Sequence, residues 1–188
     1  SLATRPVQNP PPVWVCSGFA DWWAKGSGRR GWSYCTTGDV DGGGTVFDLY
    51  EEAAIAAGHD RTSMKRGLFR DMLVMPSEHE VTAIAEEDDQ FLGFGFLKRM
   101  NPDGEQITEL PVELKDMFIH NARNAVGTPE AVREQMKPVI EMDLDLLIVR
   151  TIWANFKHER ALRTMETFAN EVMPYLRAES RRRQEQGR

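Results

Sequence analysis

A chain of 188 residues, 41% hydrophobic and 28% charged, has the composition of a soluble globular protein, and at this length roughly 70% of the unfolded surface can be buried. A formal net charge of −6 excludes a broadly basic nucleic-acid surface, and no apolar run approaches the roughly 18 residues of a membrane span. The two cysteines, Cys16 and Cys35, each lie in or at the end of a short apolar run and have no metal-ligand spacing around them, which fits free thiols in a reducing cytoplasm better than a disulfide scaffold.

The chain opens on a proline-rich, extended lead-in, "TRPVQNPPP", that becomes a first strand, "PVWVCS", ended by Gly18. Residues 19–30, "FADWWAKGSGRR", place Ala20, Trp23 and Ala24 on one helical face, although Gly26 and Gly28 should each weaken that helix by about 1 kcal/mol. "GWSYCTTG" is a second short strand and "DVDGGG" a loop. The segment "TVFDLYEEAAIAAG" is then a strong helix: Thr45 caps it, Val46, Leu49, Tyr50, Ala53, Ala56 and Ala57 share its apolar face, and Gly58 stops it.

"RGLFRDMLVM" is a third strand, apolar except for Arg70 and Asp71. Pro76 breaks it, and Ser77 with Glu80 forms the S-x-x-E capping box of the next helix. Residues 90–124 show no sustained period and are too long for an ordinary connection, which reads as an excursion covering something. Thr128 as cap and Pro129 at the first helical position open a helix to about Met142, with Pro138 inside it as a kink point, and "DLLIVRT" is a fourth strand. A last amphipathic helix, "HERALRTMETFANEVMPYL", carries Ala161, Leu162, Met165, Phe168, Ala169, Val172 and Met173 on one stripe, and the arginine-rich residues 178–188 read as a frayed, solvated tail.

Strand and helix thus alternate four times, and each strand is a short, nearly continuous apolar run of the kind buried on both faces under helices. The expected fold is α/β, a single domain over residues 1–188. Four such units make (β/α)4, half of a TIM-type (β/α)8 barrel with parallel strands and outer helices. The same alternation equally allows an open doubly wound sheet.

Four segments in order carry a resemblance. "RPVQNPPPVWV" is similar to the proline-rich entry into the fifth strand of the bacterial-luciferase-like flavin-dependent monooxygenases. "LFRDMLVMPSEHEV" resembles that family's seventh strand and capped helix, "GTPEAVREQMKPVIEMDLDLLIVR" its last helix-to-strand passage, and "HERALRTMETFANEVMPYL" its closing helix. The match covers nearly the whole chain, which corresponds to the C-terminal half of the barrel. Two features depart from the pattern: "NPPPV" lacks the family's usual histidine between the prolines, and "KGSG" inside the first helix is unusual.

The resemblance implies part of a flavin-dependent monooxygenase that uses reduced flavin and O2 to oxidise a small organic substrate in the cytoplasm. It implies four further βα units upstream of Ser1, or a complementary half-barrel chain or homo-oligomer to close the seam. FMN, supplied by a separate flavin reductase, is the implied cofactor, with coenzyme F420 as the alternative; nucleic acid and membrane are not implied. A non-catalytic flavin-binding or dimerisation remnant of the same fold is the other reading. The excursion at 90–124 falls in the family's mobile region and is implied to be a lid over the reaction.

Barrel sites gather at the C-terminal ends of the strands. After the first strand, Ser17 and Gly18 offer a hydroxyl, backbone N–H groups and a helix start to a flavin phosphate, or make a plain turn with a cap. Thr36 and Thr37 would line the flavin pocket at the end of the second strand, or serve only as β-formers. Arg70 and Asp71 are candidates for a pocket floor, or for a structural charged pair. Arg150, Thr151 and Trp153 would stand on the rim of the fourth strand, Arg150 toward anionic groups and Trp153 against the flavin ring or as a staple for the last helix. No residue is assigned a catalytic role outright. The histidines His59, His79, His120 and His158 have no partner at ligand spacing and read as ordinary surface or capping residues.

Overall fold

The computed structural model describes residues 7–17, 21–37, 40–87, 124–151 and 157–186. By its internal contacts the chain forms two compact units, one of Ser1–Phe69 and Leu144–Ile148, the other of Arg70–Asp143 and Val149–Arg188.

In the first unit β1 (Trp14–Ser17), α1 (Asp21–Arg29), β2 (Ser33–Thr36) and α2 (Val40–Ala56) lead through a 3-10 turn (Arg61–Ser63) into β3 (Arg66–Val74). β1 and β2 are parallel, with Trp14 beside Ser33 and Ser17 beside Thr36. β2 and β3 are parallel from Tyr34 beside Arg66 to Thr36 beside Leu68. The Asp145 carboxylate accepts from the Arg66 N–H at 2.9 Å, and the Asp145 N–H donates to the Arg66 carbonyl at 3.0 Å.

The helix over α1 forms in spite of its glycines, and one of them explains why. Ala24, Gly26, Ser27 and Gly28 are its buried residues, and a Cβ at Gly28 would stand 2.2 Å from the Tyr50 carbonyl oxygen. The residue that weakens α1 in isolation therefore lets α1 and α2 touch backbone to side. Trp23, expected on the buried face, is 42% exposed and stacks on Trp22 at 4.1 Å between ring centroids.

α2 begins at Val40, so the "DVDGGG" segment expected as a loop is largely helical and Thr45 lies inside the helix instead of capping it. Glycine disfavours helix without forbidding it, and burial of Phe47, Tyr50 and Ala54 farther along outweighs the propensity loss. Ala56 and Ala57, placed on the apolar face by spacing, are exposed. The Tyr34 ring stacks on Tyr50 at 5.8 Å and meets Phe47 edge-on at 6.3 Å, which fixes this side of β2 against α2. Burial pushes the Tyr50 hydroxyl up to about 12, so it stays protonated and donates to the Trp32 carbonyl at 2.9 Å. Gly58 ends the helix with φ of 79°, as its position predicts.

In the second unit the later half of β3 pairs in parallel with β4 (Asn124–Gly127), from Asp71 beside Asn124 to Val74 beside Gly127. β4 is absent from the sequence reading because four residues are too few to show a period. Its residue Val126 is bracketed by the Gln135 amide, which accepts from the Val126 N–H at 3.0 Å and donates to its carbonyl at 2.9 Å. The capping box at α3 (Glu78–Glu87) closes as predicted, with the Glu80 N–H donating to Ser77 Oγ at 3.4 Å and Ser77 Oγ donating to Glu80 Oε2 at 3.1 Å.

Thr128 likewise caps α4 (Pro129–Glu141), accepting from the Ala131 N–H. Thr128→Ala should lower stability by about 1 kcal/mol in urea denaturation, since it leaves that N–H unmatched; an unchanged midpoint would mean that the cap contributes nothing.

β5 (Leu146–Arg150) pairs with β3. The last helical run comprises α5 (His158–Thr167), a π turn (Phe168–Val172) and α6 (Met173–Gln186), so residues 178–186 are helical where a frayed tail is expected. Arg133 donates to the Glu171 carbonyl in the π turn through Nη2 at 2.7 Å and Nε at 3.0 Å. The buried face of this run is Ala161, Thr164, Thr167 and Val172. Leu162 and Met165, assigned to the buried stripe by hydropathy, are 43% and 40% exposed, because α5 turns Ala161, Thr164 and Thr167 inward instead. Among the described residues no helix is long and apolar enough to cross a membrane.

Candidate functional site

The strand ends of the first unit bring Ser17 and Thr36 side by side in register. Residues alternate across a strand, so Tyr34 and Thr36 share the side that packs on α2. Thr36 is accordingly 1% exposed, and Thr37, the next residue, is half-buried. The Ser17 carbonyl accepts from the Tyr34 hydroxyl at 3.1 Å, and among the described residues the Ser17 hydroxyl makes no hydrogen bond. Gly18 lies outside the described residues.

The opposite side of this sheet carries Trp14. A Cβ added at Gly67 would meet the Trp14 Cζ3 at 2.9 Å and the Cys35 side chain at 3.3 Å, so the indole lies across β2 and over the bare Gly67 backbone. At 37% exposed, Trp14 gives this face an aromatic surface open to contact.

In the second unit the strand interior and the rim residue meet. Arg150 donates through Nε to Asp71 Oδ1 and through Nη2 to Asp71 Oδ2, the latter at 2.6 Å, a two-pronged guanidinium–carboxylate pair. The Asp71 side chain is 17% exposed and that of Arg150 47%. Burial raises the Asp71 pKa above its ordinary value, and the Arg150 hydrogen bond and charge only partly offset it. Arg70 is 1% exposed and, one residue away on the same strand, points to the other side of β3. Their side chains thus leave β3 on opposite sides, although the Arg70 charge still acts on Asp71 and lowers its pKa. Thr151 is buried, and Trp153 lies outside the described residues.

Sequence reasoning missed a second feature of this unit, an open groove of about 270 Å³ along α3 and α5. Met75, Ala83 and Ile84 form its apolar lining, and an ion pair between Glu80 and Arg163 at 2.6 Å crosses it. Glu80 reads from sequence only as the acid three residues after the cap in a capping box, which hides its second partner.

His59 ties the ends of two segments through its Nε2, 3.0 Å from the Arg29 carbonyl, while His79 and His158 are exposed in the first turns of α3 and α5. His120 and the expected lid lie outside the described residues.

No protein-family model matches the chain, and no curated protein matches it by sequence. Solved structures do. The monooxygenase RslO1 from Streptomyces bottropensis is similar with a TM-score of 0.71 at 18% identity, over 92% of this chain and 51% of its own. The oxygenating constituent of 3,6-diketocamphane monooxygenase from Pseudomonas putida, in complex with FMN, is similar with a TM-score of 0.63 at 17% identity, over 88% of this chain and 49% of its own. An F420-dependent secondary alcohol dehydrogenase, in complex with an F420–acetone adduct, gives 0.59 at 15% identity, over 93% and 51%. The fold is therefore that of the luciferase-like flavin monooxygenases, an α/β arrangement of parallel strands and outer helices equivalent to half of a TIM-type barrel. The chain spans about half the length of these structures.

Proposed function

We propose that this chain forms half of a flavin-dependent monooxygenase that uses reduced flavin and O2 to oxidise a small organic substrate, completed by a further segment or by a second chain. The observation that carries the reading is the fold likeness over nearly the whole chain to two monooxygenases, one of them holding FMN. FMN is the proposed cofactor, delivered reduced by a flavin reductase, with coenzyme F420 as the alternative; the proposed location is the cytoplasm.

The first unit fits such a group on its own chemistry. Ser17, at the C-terminal end of β1, presents a half-buried hydroxyl with no partner among the described residues. Ser17, Gly18 and Thr37 would hold the phosphate, while Thr36, sealed against the helix layer, supports the strand end without touching it. Bound reduced flavin would supply the reaction with O2. The chain's own task is to bind, orient and exclude water. The Asp71–Arg150 pair would give a substrate a polar partner, and Trp153 remains a proposed rim residue.

FMN titration followed by flavin fluorescence tests this. Saturable binding is expected, with Ser17→Ala weakening it roughly tenfold through loss of one charge-assisted hydrogen bond. Absence of saturable uptake of either FMN or F420 would defeat the cofactor assignment. The exposed Trp22, Trp23 and Ile55 favour a second reading, a non-catalytic association module, which that outcome would promote.

A further inference from the structure

Cys16 and Cys35 are 19 positions apart in sequence and read there as unrelated buried thiols. In the structure they are direct neighbours: β1 and β2 run parallel with Cys16 in register against Cys35. Adjacent strands lie about 4.8 Å apart, inside the roughly 4.4–6.8 Å between Cα atoms that a disulfide spans.

Their side chains share a face. Cys16 is two residues from Trp14 on β1 and so projects to the same side. The Trp14 indole lies over Gly67, and the Cys35 side chain approaches Gly67 from that side, its Sγ 3.3 Å from where a Gly67 Cβ would stand. Access is unequal, since Cys16 is exposed and Cys35 buried, and neither is in a disulfide; the Cys35 thiol donates weakly to the Thr36 carbonyl at 3.9 Å. One sulfur meets solvent and the other stands beside it under cover, the arrangement of an attacking and a resolving thiol.

From this register we infer that Cys16 and Cys35 form a reversible oxidation site, closing to an intramolecular disulfide when a hydroperoxide reaches Cys16. The Cys16 thiolate attacks one peroxide oxygen, its O–O bond breaks, and a sulfenic acid and hydroxide result. The Cys35 sulfur then attacks the sulfenic sulfur and the S–O bond breaks, releasing water. Two thiols and one hydrogen peroxide become one disulfide and two waters; each sulfur gives up one electron and the peroxide takes both. The inference rests on strand register and exposure, and is independent of whether a flavin binds. Cross-linking would tie β1 to β2 one residue before Ser17.

The test is to treat the protein with one equivalent of hydrogen peroxide, then denature it, count thiols with an aromatic disulfide reagent, and weigh the intact chain. Loss of both thiols is expected, with a mass lower by about 2 Da and full recovery in dithiothreitol. Cys35→Ser should instead leave a dimedone-reactive sulfenic acid at Cys16, and Cys16→Ser, a change at an exposed position, should leave Cys35 unmodified. Over-oxidation of Cys16 in the unmutated protein with Cys35 still reduced would overturn the inference. So would a disulfide found only between two chains on a non-reducing gel.

Discussion

Gly28→Ala is expected to destabilise the protein by about 3 kcal/mol, the upper part of the range for forcing atoms into a packed interior. For a chain of this length that is a fall of roughly 6–12 °C in melting temperature. The new methyl would lie 2.2 Å from the Tyr50 carbonyl oxygen and 3.1 Å from Ala53 Cβ and Ala54 N, so two helix backbones, not a flexible side chain, would have to move. Two residues earlier the same substitution should act in the opposite direction. Among the described residues a Cβ at Gly26 meets only the Arg30 Nη1, at 3.5 Å, an ordinary contact, so Gly26→Ala keeps the packing and gains up to about 1 kcal/mol of helix propensity. Thermal melts of the two variants side by side decide the matter, and similar shifts for both would show that α1 does not rest on α2 as described.

The second large effect concerns the charged pair, where the two halves should not be equivalent. Arg150→Met is expected to cost about 2 kcal/mol at neutral pH, less than a fully buried pair would lose because Arg150 is half-exposed. Asp71→Asn should stay within about 1 kcal/mol of the parent, since the Arg150 left behind can be hydrated. The sign follows from the carboxyl. Burial holds the folded Asp71 pKa above its ordinary value, so ionising Asp71 is harder in the folded chain than in the unfolded one. Stability from that difference is complete below the unfolded value and is lost as pH rises through the raised folded one. Removing Arg150 deletes what pulls the value down, so the loss should deepen toward neutral pH and shrink on acidification. Chemical denaturation of the two variants at acidic and neutral pH measures this, and a loss in Arg150→Met that is independent of pH would contradict it.

What was legible in the sequence was local. The Ser77–Glu80 box, the Thr128–Pro129 start and the apolar run of β3 each carry their signal within a few residues, and each forms as read. The resemblance extended that to the fold. What was not legible depended on neighbours elsewhere in the chain. Gly28 looks like a helix breaker until Tyr50 stands opposite it. Thr36 and Thr37 look alike until the fold buries one of them, and Arg70 and Asp71 look alike until the pleat sends them to opposite sides. Asp71 and Arg150 were each marked as site candidates, yet nothing in spacing announces a partner 79 residues away. Leu162 and Met165 differ in another way: hydropathy puts them on the stripe, while α5 turns the less apolar Thr164 and Thr167 inward.

The clasp between Arg66 and Asp145 also spans 79 positions. Closing a flexible loop scales with the logarithm of its length, so doubling the intervening chain would add only about 0.6 kcal/mol. The anchorage at the clasp is strong by comparison: Arg66 also pairs with Glu51 at 3.2 Å and lies over the Phe47 ring. Much of what lies between the two anchors, β3, α3, β4 and α4, is packed structure held by its own contacts, so the separation itself adds little to the thermodynamic cost of the clasp. The toll falls on kinetics, because strand pairing across so wide a separation must wait for a distant end to arrive.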